Sequence, residues 1–287
     1  MTTTPERVDP NDVPSCQLPS GTAMPVLGLG TWQLTGPRGA DLVMRAAELG
    51  YRSFDTAAEY GNEAEVGAGL ARSGVPRSAC FVTTKVWYEC VRAGELEDNA
   101  RRSLDRLRTD WIDLLLIHWP NANVPLAETI AALDRVVDAG VTRAIGVSNF
   151  PAGLLLQAMS LSRHPLATNQ VEYHPALDQS RLLAILREHG MVLTAHTPLG
   201  MGRGLDDDLV HAIARDHGAT PAQVVLRWLI QQDSVVAVPR TSNPARLHEN
   251  LAAVRLTLTD DEMARIDALR RPDGRIVNPS FAPDWNA

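Results

Sequence analysis

Four side chains that could take part in proton transfer lie at or just beyond the ends of three short apolar runs. Asp55 ends the first run and Tyr60 follows it closely, Lys85 lies near the end of the second run, and His118 ends the third. A carboxylate, a phenol, an ammonium and an imidazole in one place could protonate the alkoxide that forms when a hydride attacks a carbonyl carbon.

The phenol in this set depends on its neighbours. The reference pKa of tyrosine is about 10, which matches neutral pH poorly, and a nearby ammonium lowers it. Lys85 could supply that charge, Asp55 could keep Lys85 charged and oriented, and His118 could orient the carbonyl oxygen. Tyr60 is the candidate proton donor.

Each of these residues also has an ordinary structural explanation. An isolated Asp55 could be a cap or a turn residue, and Tyr60 could be a loop aromatic that packs locally. Lys85 could face solvent, and His118 could be a histidine satisfied within the core. One shared site explains all four positions at once, whereas the separate explanations require four coincidences at three adjacent strand ends.

The elements that must position these residues follow from eight short apolar runs, which alternate with segments of helical periodicity. In a (β/α)8 barrel the carboxyl ends of the strands meet at one face, where the connecting loops form the active site. We therefore predict an α/β protein built as a (β/α)8 TIM barrel with an N-terminal β-hairpin and extra helices. The eight runs are Pro25–Gly30, Tyr51–Asp55, Phe81–Val86, Ile112–His118, Val141–Val147, Ala167–Val171, Val192–His196 and Val235–Pro239.

A doubly wound sheet is the alternative arrangement of eight such strands. It would need Gly-x-Gly-x-x-Gly between its first strand and helix to bind a dinucleotide. Gly28-Leu-Gly30 is followed by Gln33 where the third glycine would stand, and the second Gly-x-Gly, at 200–202, fails in the same way. A dinucleotide would therefore have to be held by another phosphate site.

The chain is predicted to form one domain behind a short polar segment. Residues 1–14 are polar and contain three prolines, so we expect a flexible N-terminal segment. Residues 17–18 and 24–26 flank a Pro-Ser-Gly-Thr turn and should form the hairpin, which covers one end of the barrel. Residues 15–287 then form a single barrel domain, whose C-terminal tail is expected to lie over the active face.

The composition excludes several classes of protein. The 287 residues are 45% hydrophobic and 21% charged, which is ordinary globular usage. A formal net charge of −7 without a dense Lys/Arg block argues against a nucleic-acid partner. The sequence contains neither about 18 consecutive apolar residues nor the apolar region of a signal peptide, so we expect no membrane partner. Three cysteines without paired spacing fit a reducing compartment, and we expect a cytoplasmic protein.

Three segments of the sequence resemble the aldo-keto reductase superfamily. They are Asp55-Thr-Ala-Ala-Glu-Tyr60-Gly-Asn-Glu, Thr-Lys85-Val-Trp87 and Leu-Leu-Ile-His118-Trp-Pro, and the likeness runs from about Leu18 to Asn250 in the family's order. The resemblance implies an NADPH-dependent barrel enzyme. It also implies a catalytic tetrad of Asp55, Tyr60, Lys85 and His118, in which Tyr60 is the proton donor.

The resemblance extends to residues that would bind the nicotinamide carboxamide. The segments Gly-Val-Ser-Asn-Phe and Asn-Gln-Val-Glu-Tyr are similar to the family's, and they place this role on Ser148, Asn149 and Gln170. Hydroxyl and amide side chains suit an amide because each offers a donor or an acceptor. Capping of the following helix is the structural alternative for Ser148 and Asn149.

The segment after the last strand would hold the phosphate end of the cofactor. Asn243 and Pro244 are typical of a helix start, which offers free amides and a positive dipole end. In the family this segment binds the adenosine 2′-phosphate and the adenine, which implies the residues Arg240, Thr241, Arg246, Glu249 and Asn250. The family usually has lysine where Arg240 stands. Because the charge is kept, we expect NADPH, with NADH as the alternative; an exposed helix start is the structural explanation.

One position departs from the family pattern. His196 stands where the family stacks a tyrosine or tryptophan on the nicotinamide, and Pro198 and Leu199 complete the cofactor segment. Histidine can be protonated near pH 6.5, and a charge there would repel the oxidised nicotinamide. We hypothesise that cofactor binding weakens as the pH falls.

Aromatic residues follow several strand ends, where family members line the substrate pocket. These residues are Trp32, Trp87, Tyr88 and Trp119, although Trp32 and Trp119 could serve mainly for packing. The tail from Arg275 to Trp285 is similar to short tails in bacterial reductases of diketogluconate and of small aldehydes such as methylglyoxal. A small-molecule carbonyl compound is therefore the expected substrate, and no metal site is expected.

The sequence thus predicts a monomeric, NADPH-dependent carbonyl reductase. Two alternatives stay open. A nucleotide-sensing subunit would keep the fold and lose catalysis, and an aldolase-type barrel would use Lys85 to form a Schiff base.

Overall fold

Ten strands and ten α-helices, with six short 3-10 helices, make up the regular structure in the part of the chain that the computed structural model describes, residues 7–203 and 205–286. The strands are β1 Ser15–Gln17, β2 Ala23–Pro25, β3 Leu29–Gly30, β4 Ser53–Asp55, β5 Phe81–Val86, β6 Leu114–Ile117, β7 Ile145–Ser148, β8 Leu166–Glu172, β9 Val192–His196 and β10 Val235–Ala237. The helices are α1 Gly36–Leu49, α2 Glu63–Arg72, α3 Glu95–Leu107, α4 Leu126–Asp138, α5 Ala152–Leu161, α6 Ser180–Glu188, α7 Asp208–Asp216, α8 Pro221–Ile230, α9 Pro244–Leu251 and α10 Asp260–Asp267. Two helices follow β9 and two follow β10, which accounts for the extra helices.

The sheet of β3 to β10 is parallel and hydrogen-bonded in chain order. Its first and last strands meet through the bridges Leu27–Ala237 and Gly30–Arg240, which close the sheet. At this seam a Cβ on Gly30 would lie 2.6 Å from the carbonyl oxygen of Val238, so a side chain has no room there. The (β/α)8 barrel predicted from the sequence is confirmed.

Strand β5 shows how the fold places polar groups inside the barrel. All six of its residues are buried, although Thr83, Thr84 and Lys85 are polar. Strands of a closed parallel sheet are covered on both faces, so polar groups on them need partners within the protein. The Thr84 hydroxyl, for example, donates to Glu63 at 2.5 Å. Lys85 finds its partners at the carboxyl end of the barrel.

The N-terminal hairpin closes the opposite end of the barrel. Strands β1 and β2 are antiparallel, with Cys16 opposite Met24. Met24 and Leu18 are buried against residues at the amino half of the barrel strands, including Phe81 and Val192. The hairpin therefore covers the end away from the predicted site.

Part of the segment predicted to be flexible is packed against the barrel. Val8 and Val13 are buried in the main core, and the Val8 N–H donates to the carbonyl oxygen of Leu49. Burial of these two apolar side chains stabilises residues that lie before the predicted boundary at Ser15. The boundary itself stays a prediction.

Among the described residues, no helix combines the length and hydropathy that crossing a bilayer requires.

Side-chain caps fix where helices near the site begin. Asn243 accepts the Ala245 N–H at 3.0 Å and Pro244 is the first residue of α9, as the sequence predicts. A reciprocal capping box between Thr220 and Gln223 begins α8. The loop that leaves the last strand therefore runs directly into a capped helix start.

Candidate active site

A cleft of about 650 Å³ opens at the carboxyl ends of the barrel strands. Of the predicted catalytic residues, Asp55, Tyr60 and His118 line it, and Lys85 lies buried behind them. The remaining lining residues are Gly30, Thr31, Trp32, Gln33, Glu59, Trp87, Trp119, Asn149, Gln170, His196, Thr197, Pro198, Leu199, Met201, Val238, Pro239, Arg240 and Val277. The polar strand ends recognised in the sequence thus share one cavity.

The ammonium of Lys85 is fully buried and has three oxygen partners. Its Nζ donates to Asp55 Oδ1 at 2.5 Å and to the carbonyl oxygen of Thr56 at 2.8 Å. A third, longer hydrogen bond of 3.4 Å reaches the hydroxyl of Tyr60. An ammonium has three donors and no acceptor, so these partners use its full capacity and fix its position.

Burial and charge act in opposite directions on Lys85 and Tyr60. Burial alone would lower the pKa of Lys85, but the carboxylate of Asp55 and the hydrogen bonds outweigh it and raise that pKa. Burial raises the pKa of the Tyr60 phenol, and the opposing charge of Lys85 does not outweigh it. The sequence-based expectation of a lowered tyrosine pKa is therefore wrong for the free protein, because desolvation is the larger effect. Both groups keep their protons at neutral pH.

His118 faces the cleft as a neutral imidazole. Burial, followed by the charge of Lys85, lowers the pKa of His118 well below its ordinary value. Its ring contacts Tyr60 and Trp87 edge-on, with centroids 5.5 and 5.2 Å apart. Its Nδ1 is buried without a partner, which leaves Nε2 as the ring nitrogen that can reach a ligand.

Asp55 also contacts one of the predicted nicotinamide residues. The side-chain nitrogen of Gln170 donates to Asp55 Oδ2 at 2.6 Å, while Oδ1 accepts from Lys85. Because a carboxylate only accepts hydrogen bonds, Gln170 must turn its nitrogen towards Asp55 and its amide oxygen away. One carboxylate therefore orients both the buried ammonium and an amide of the cleft wall.

Asn149 is held by a chain of hydrogen bonds. Its φ of 62° is left-handed, which asparagine tolerates better than most residues, and its side-chain nitrogen donates to Ser148 and to the carbonyl oxygen of His118, both at 3.0 Å. Ser148 is fully buried outside the cleft, and its hydroxyl donates to the Gln170 carbonyl at 2.8 Å. The structure thus places Asn149 and Gln170 in the cleft wall and Ser148 behind it.

His196 is tied into the same chain. Its Nε2 lies 3.0 Å from Asn149 Oδ1, and its Nδ1 lies 3.1 Å from the hydroxyl of Thr197. Burial is the main reason that the pKa of His196 is lowered to about 4. The ring is therefore neutral near pH 6.5, where the sequence-based hypothesis assumed that it gains a proton.

Of the residues predicted to hold the phosphate end of the cofactor, only one lines the cleft. Arg240 lines it, and its guanidinium donates to the Trp32 carbonyl at 3.0 Å. The other four lie outside the cleft lining, at the start and along α9: Thr241, Arg246, Glu249 and Asn250. Arg246 is exposed, while Glu249 accepts a hydrogen bond of 2.8 Å from the Thr220 hydroxyl.

The aromatic residues and the C-terminal tail form the outer part of the cleft. Trp32, Trp87 and Trp119 line it, whereas Tyr88 stands behind and stacks on Phe281 with centroids 4.5 Å apart. Phe281 also contacts Trp87 and Trp119 edge-on. The tail therefore lies against the predicted pocket aromatics.

Several cleft residues were not predicted from the sequence. Gln33, Thr197 and Met201 line the cleft, and their backbones adopt a positive φ that their residue types do not predict. Val277 belongs to the tail that was expected to lie over the active face, but the sequence did not single it out as a lining residue. Glu59 precedes the tyrosine of a quoted motif, which is the signal that could have found it. In residues 7–203 and 205–286 no cluster of three or more His, Cys, Asp or Glu is arranged for a metal ion.

Comparison with known proteins agrees with this geometry. The aldo/keto reductase family model matches residues 26–271. An aldo-keto reductase of Mycolicibacterium vanbaalenii is 43% identical over 258 residues, which cover 90% of this chain and 92% of that protein. Methylglyoxal reductase DkgB of Escherichia coli O157:H7 is 40% identical over 268 residues, 92% of this chain and 100% of that protein.

A solved structure extends the comparison to the whole fold. A protein assigned as a 2,5-diketo-D-gluconic acid reductase B superposes with a TM-score of 0.92 at 45% identity, covering 96% of this chain and 98% of that one. These relatives support an oxidoreductase as the class of enzyme and carbonyl reduction as its general reaction. The chain belongs to the aldo/keto reductase family.

Proposed function

We propose that this protein is an NADPH-dependent reductase that converts aldehydes or ketones to alcohols, with Tyr60 as the proton donor. The observation that carries the proposal is the Tyr60 hydroxyl, which lies in the cleft wall 3.4 Å from the buried ammonium of Lys85. Small carbonyl compounds such as methylglyoxal or keto sugar acids are the substrate class that the named relatives suggest.

The donors and acceptors of the cleft suit a nicotinamide dinucleotide. Gln170 has its amide oxygen turned away from Asp55, and Asn149 offers a second amide, so together they could hold a carboxamide. Arg240 and the exposed Arg246 offer guanidinium groups for a phosphate beside the start of α9. The nicotinamide, when bound, supplies the hydride.

The protein side of the reaction concerns one proton and one oxygen. With its pKa raised, Tyr60 is a neutral phenol at pH 7 and can donate to the developing alkoxide. Lys85 stabilises the phenolate that remains, because it is held charged 3.4 Å away. Neutral His118 can donate one hydrogen bond from Nε2 and so orient the carbonyl oxygen.

The two alternatives fit the site less well. A Schiff base requires an amine with a free lone pair, and the raised pKa and three hydrogen bonds of Lys85 keep it an ammonium. A purely nucleotide-sensing subunit would have no need for a phenol, an imidazole and an ammonium set together in one cleft.

The substitution Tyr60→Phe tests the proposal because it removes only the hydroxyl. We expect kcat for methylglyoxal or an aromatic aldehyde to fall about 10²–10⁴-fold. The affinity for NADPH, measured by quenching of protein fluorescence, should change little. An unchanged affinity would show that the variant is folded. Full activity in Tyr60→Phe would refute the mechanism, and borohydride trapping of a substrate on Lys85 would favour the aldolase-type alternative. Repeating the assay with NADH tests the cofactor.

A further inference from the structure

The C-terminal tail is held to the barrel by one buried carboxylate. Glu172 ends β8 and has no exposed surface. Its Oε1 accepts the Ile276 N–H at 2.7 Å, and its Oε2 accepts the Val277 N–H at 2.8 Å. His174 Nε2 lies 2.9 Å from Oε1. Both carboxylate oxygens are thus bound by consecutive backbone amides of the tail.

The carboxylate and the docked tail depend on each other. A buried carboxylate without donors is strongly unfavourable, and backbone amides without acceptors are also unfavourable. Burial acts to raise the pKa of Glu172, but hydrogen bonds from His174 and from the two tail amides outweigh it and lower that pKa. Glu172 is therefore ionised at neutral pH, when it is the better acceptor.

Beyond this attachment the tail supplies apolar surface to the cleft. Val277 lines the cavity directly, and Phe281 packs among the aromatic side chains of the cleft mouth. Trp285 then contacts Trp119, and the guanidinium of Arg275 lies 3.6 Å from the Trp285 ring centroid. The two amides bound by Glu172 lie at the start of the segment that forms this wall.

We propose that Glu172 is a positioning residue that sets substrate selectivity by fixing residues 275–286 as the apolar outer wall of the cleft. The inference rests on the proposed reductase function. The carboxylate of Glu172 binds the tail amides and His174, so its loss should leave the proton-donating groups in place. A carbonyl compound with an aromatic substituent gains affinity by packing against this wall, whereas methylglyoxal is too small to cover the apolar surface of the wall.

Trypsin can measure the attachment without any turnover. Cleavage after Arg275 releases residues 276–287, and the Ile276 N–H of that peptide bond is bound to Glu172 in the docked tail. In Glu172→Gln one backbone amide of the tail would face the NH2 group of the glutamine, which is also a donor. We therefore expect cleavage after Arg275 to be at least about tenfold faster than in the parent. Intact-mass spectrometry measures the cleavage. Glu262→Gln is the matched control, because Glu262 also accepts from a histidine and a backbone amide but lies outside the cleft lining.

The same variants measure selectivity. We expect Glu172→Gln to raise KM for benzaldehyde about tenfold, with little change in KM for methylglyoxal and in kcat for both, since tenfold corresponds to the loss of a modest apolar contact. Val277→Pro removes one donor amide and leaves the barrel residues intact, so it repeats the cleavage test if the buried substitution prevents folding; because Val277 lines the cleft, its KM values are not used. Phe281→Ala should reproduce the KM change without faster cleavage.

Three results would overturn the inference. Cleavage after Arg275 at the parent rate in both Glu172→Gln and Val277→Pro would show that the carboxylate does not hold the tail. Faster cleavage with an unchanged ratio of the two KM values would show that the tail does not set selectivity. Absence of turnover with both aldehydes in the parent would refute the proposed function and the selectivity that rests on it, while cleavage would still report on the attachment.

Discussion

The fold keeps both Lys85 and Tyr60 protonated at neutral pH, because it raises the pKa of each. The ammonium is fully buried, and without the Asp55 carboxylate its charge would be unfavourable. Its folded pKa is raised, so this pair stabilises the protein fully below the ordinary lysine pKa and loses that contribution as the pH rises through the folded value. The phenol is protonated over the same range.

The rate of carbonyl reduction should therefore be insensitive to Tyr60 between pH 6 and 9. We expect any fall in kcat from loss of this proton to lie above the ordinary tyrosine pKa of about 10, because burial raises the pKa of Tyr60. The measurement is the pH profile of kcat for NADPH oxidation at saturating substrate. A decline centred between pH 7 and 8 that is absent from Lys85→Met would instead indicate a lowered tyrosine pKa.

His196 replaces a stacking ring with hydrogen bonds. Its two nitrogens lie within 3.1 Å of Asn149 and Thr197 partners, so the ring orients an amide of the cleft wall. Its pKa of about 4 means that the folded protein holds the ring neutral where an unfolded chain would bind a proton. That difference makes the protein less stable as the pH falls from 6.5 towards 4.

Between pH 5.5 and 8 the affinity for NADP⁺ should change equally in the parent and in His196→Tyr. The 2′-phosphate titrates near pH 6 in both proteins, so the comparison between them isolates the histidine. The measurement is NADP⁺ affinity by fluorescence titration. A loss of affinity towards pH 5.5 in the parent alone would show that His196 gains a proton there, as the sequence suggested.

Among the elements, the seam between β3 and the last strand has no room for a side chain at Gly30. Gly30 lies where a Cβ would clash with the backbone of Val238, and it also lines the cleft. Gly21, in the hairpin turn, has open space around it and a φ of +82°. The two glycines are thus required for different reasons, one for close approach and one for backbone conformation.

Gly30→Ala should destabilise the protein by more than about 2 kcal/mol, because backbone cannot move aside without opening the seam. Gly21→Ala should cost about 1 kcal/mol, the strain of a left-handed alanine. Urea unfolding midpoints of the two variants test this order. Equal midpoints would mean that the seam can spread to accept a methyl group.

For the whole molecule, the acidic net charge of −7 contrasts with the basic groups beside α9. An anionic nucleotide must be attracted locally, because the overall field opposes it. Arg240 precedes α9 and Arg246 lies in its first turn, so both guanidinium groups are candidates for the proposed phosphate ligand.

Arg246→Ala should weaken NADPH binding roughly tenfold to hundredfold and NADH binding little, because a charged hydrogen bond contributes about 1.5–3 kcal/mol. Added salt should weaken NADPH binding in the parent more than in the variant. Arg101→Ala, on α3, is the control for loss of one positive charge. Parallel losses for NADPH and NADH would place Arg246 away from the 2′-phosphate.

The sequence predicted the barrel and the polar strand ends because both depend on local patterns. Asp55, Lys85 and His118 end buried runs, and parallel strands bring such ends together in every barrel. The sequence predicted a tail over the active face, but its attachment to Glu172 was beyond prediction, since that contact joins residues about a hundred positions apart without a local signal. The direction of the Tyr60 pKa also needed the structure, because it depends on how burial compares with one nearby charge.

The two oxygens of Asp55 serve two different neighbours, Lys85 on one side and Gln170 on the other. An asparagine at this position would have a single acceptor to share between them. Whichever neighbour kept that acceptor, the other would face an N–H group, donor against donor. An amide at residue 55 can therefore satisfy the ammonium of the proposed proton-donating pair or the proposed carboxamide ligand, whereas the carboxylate serves both at once.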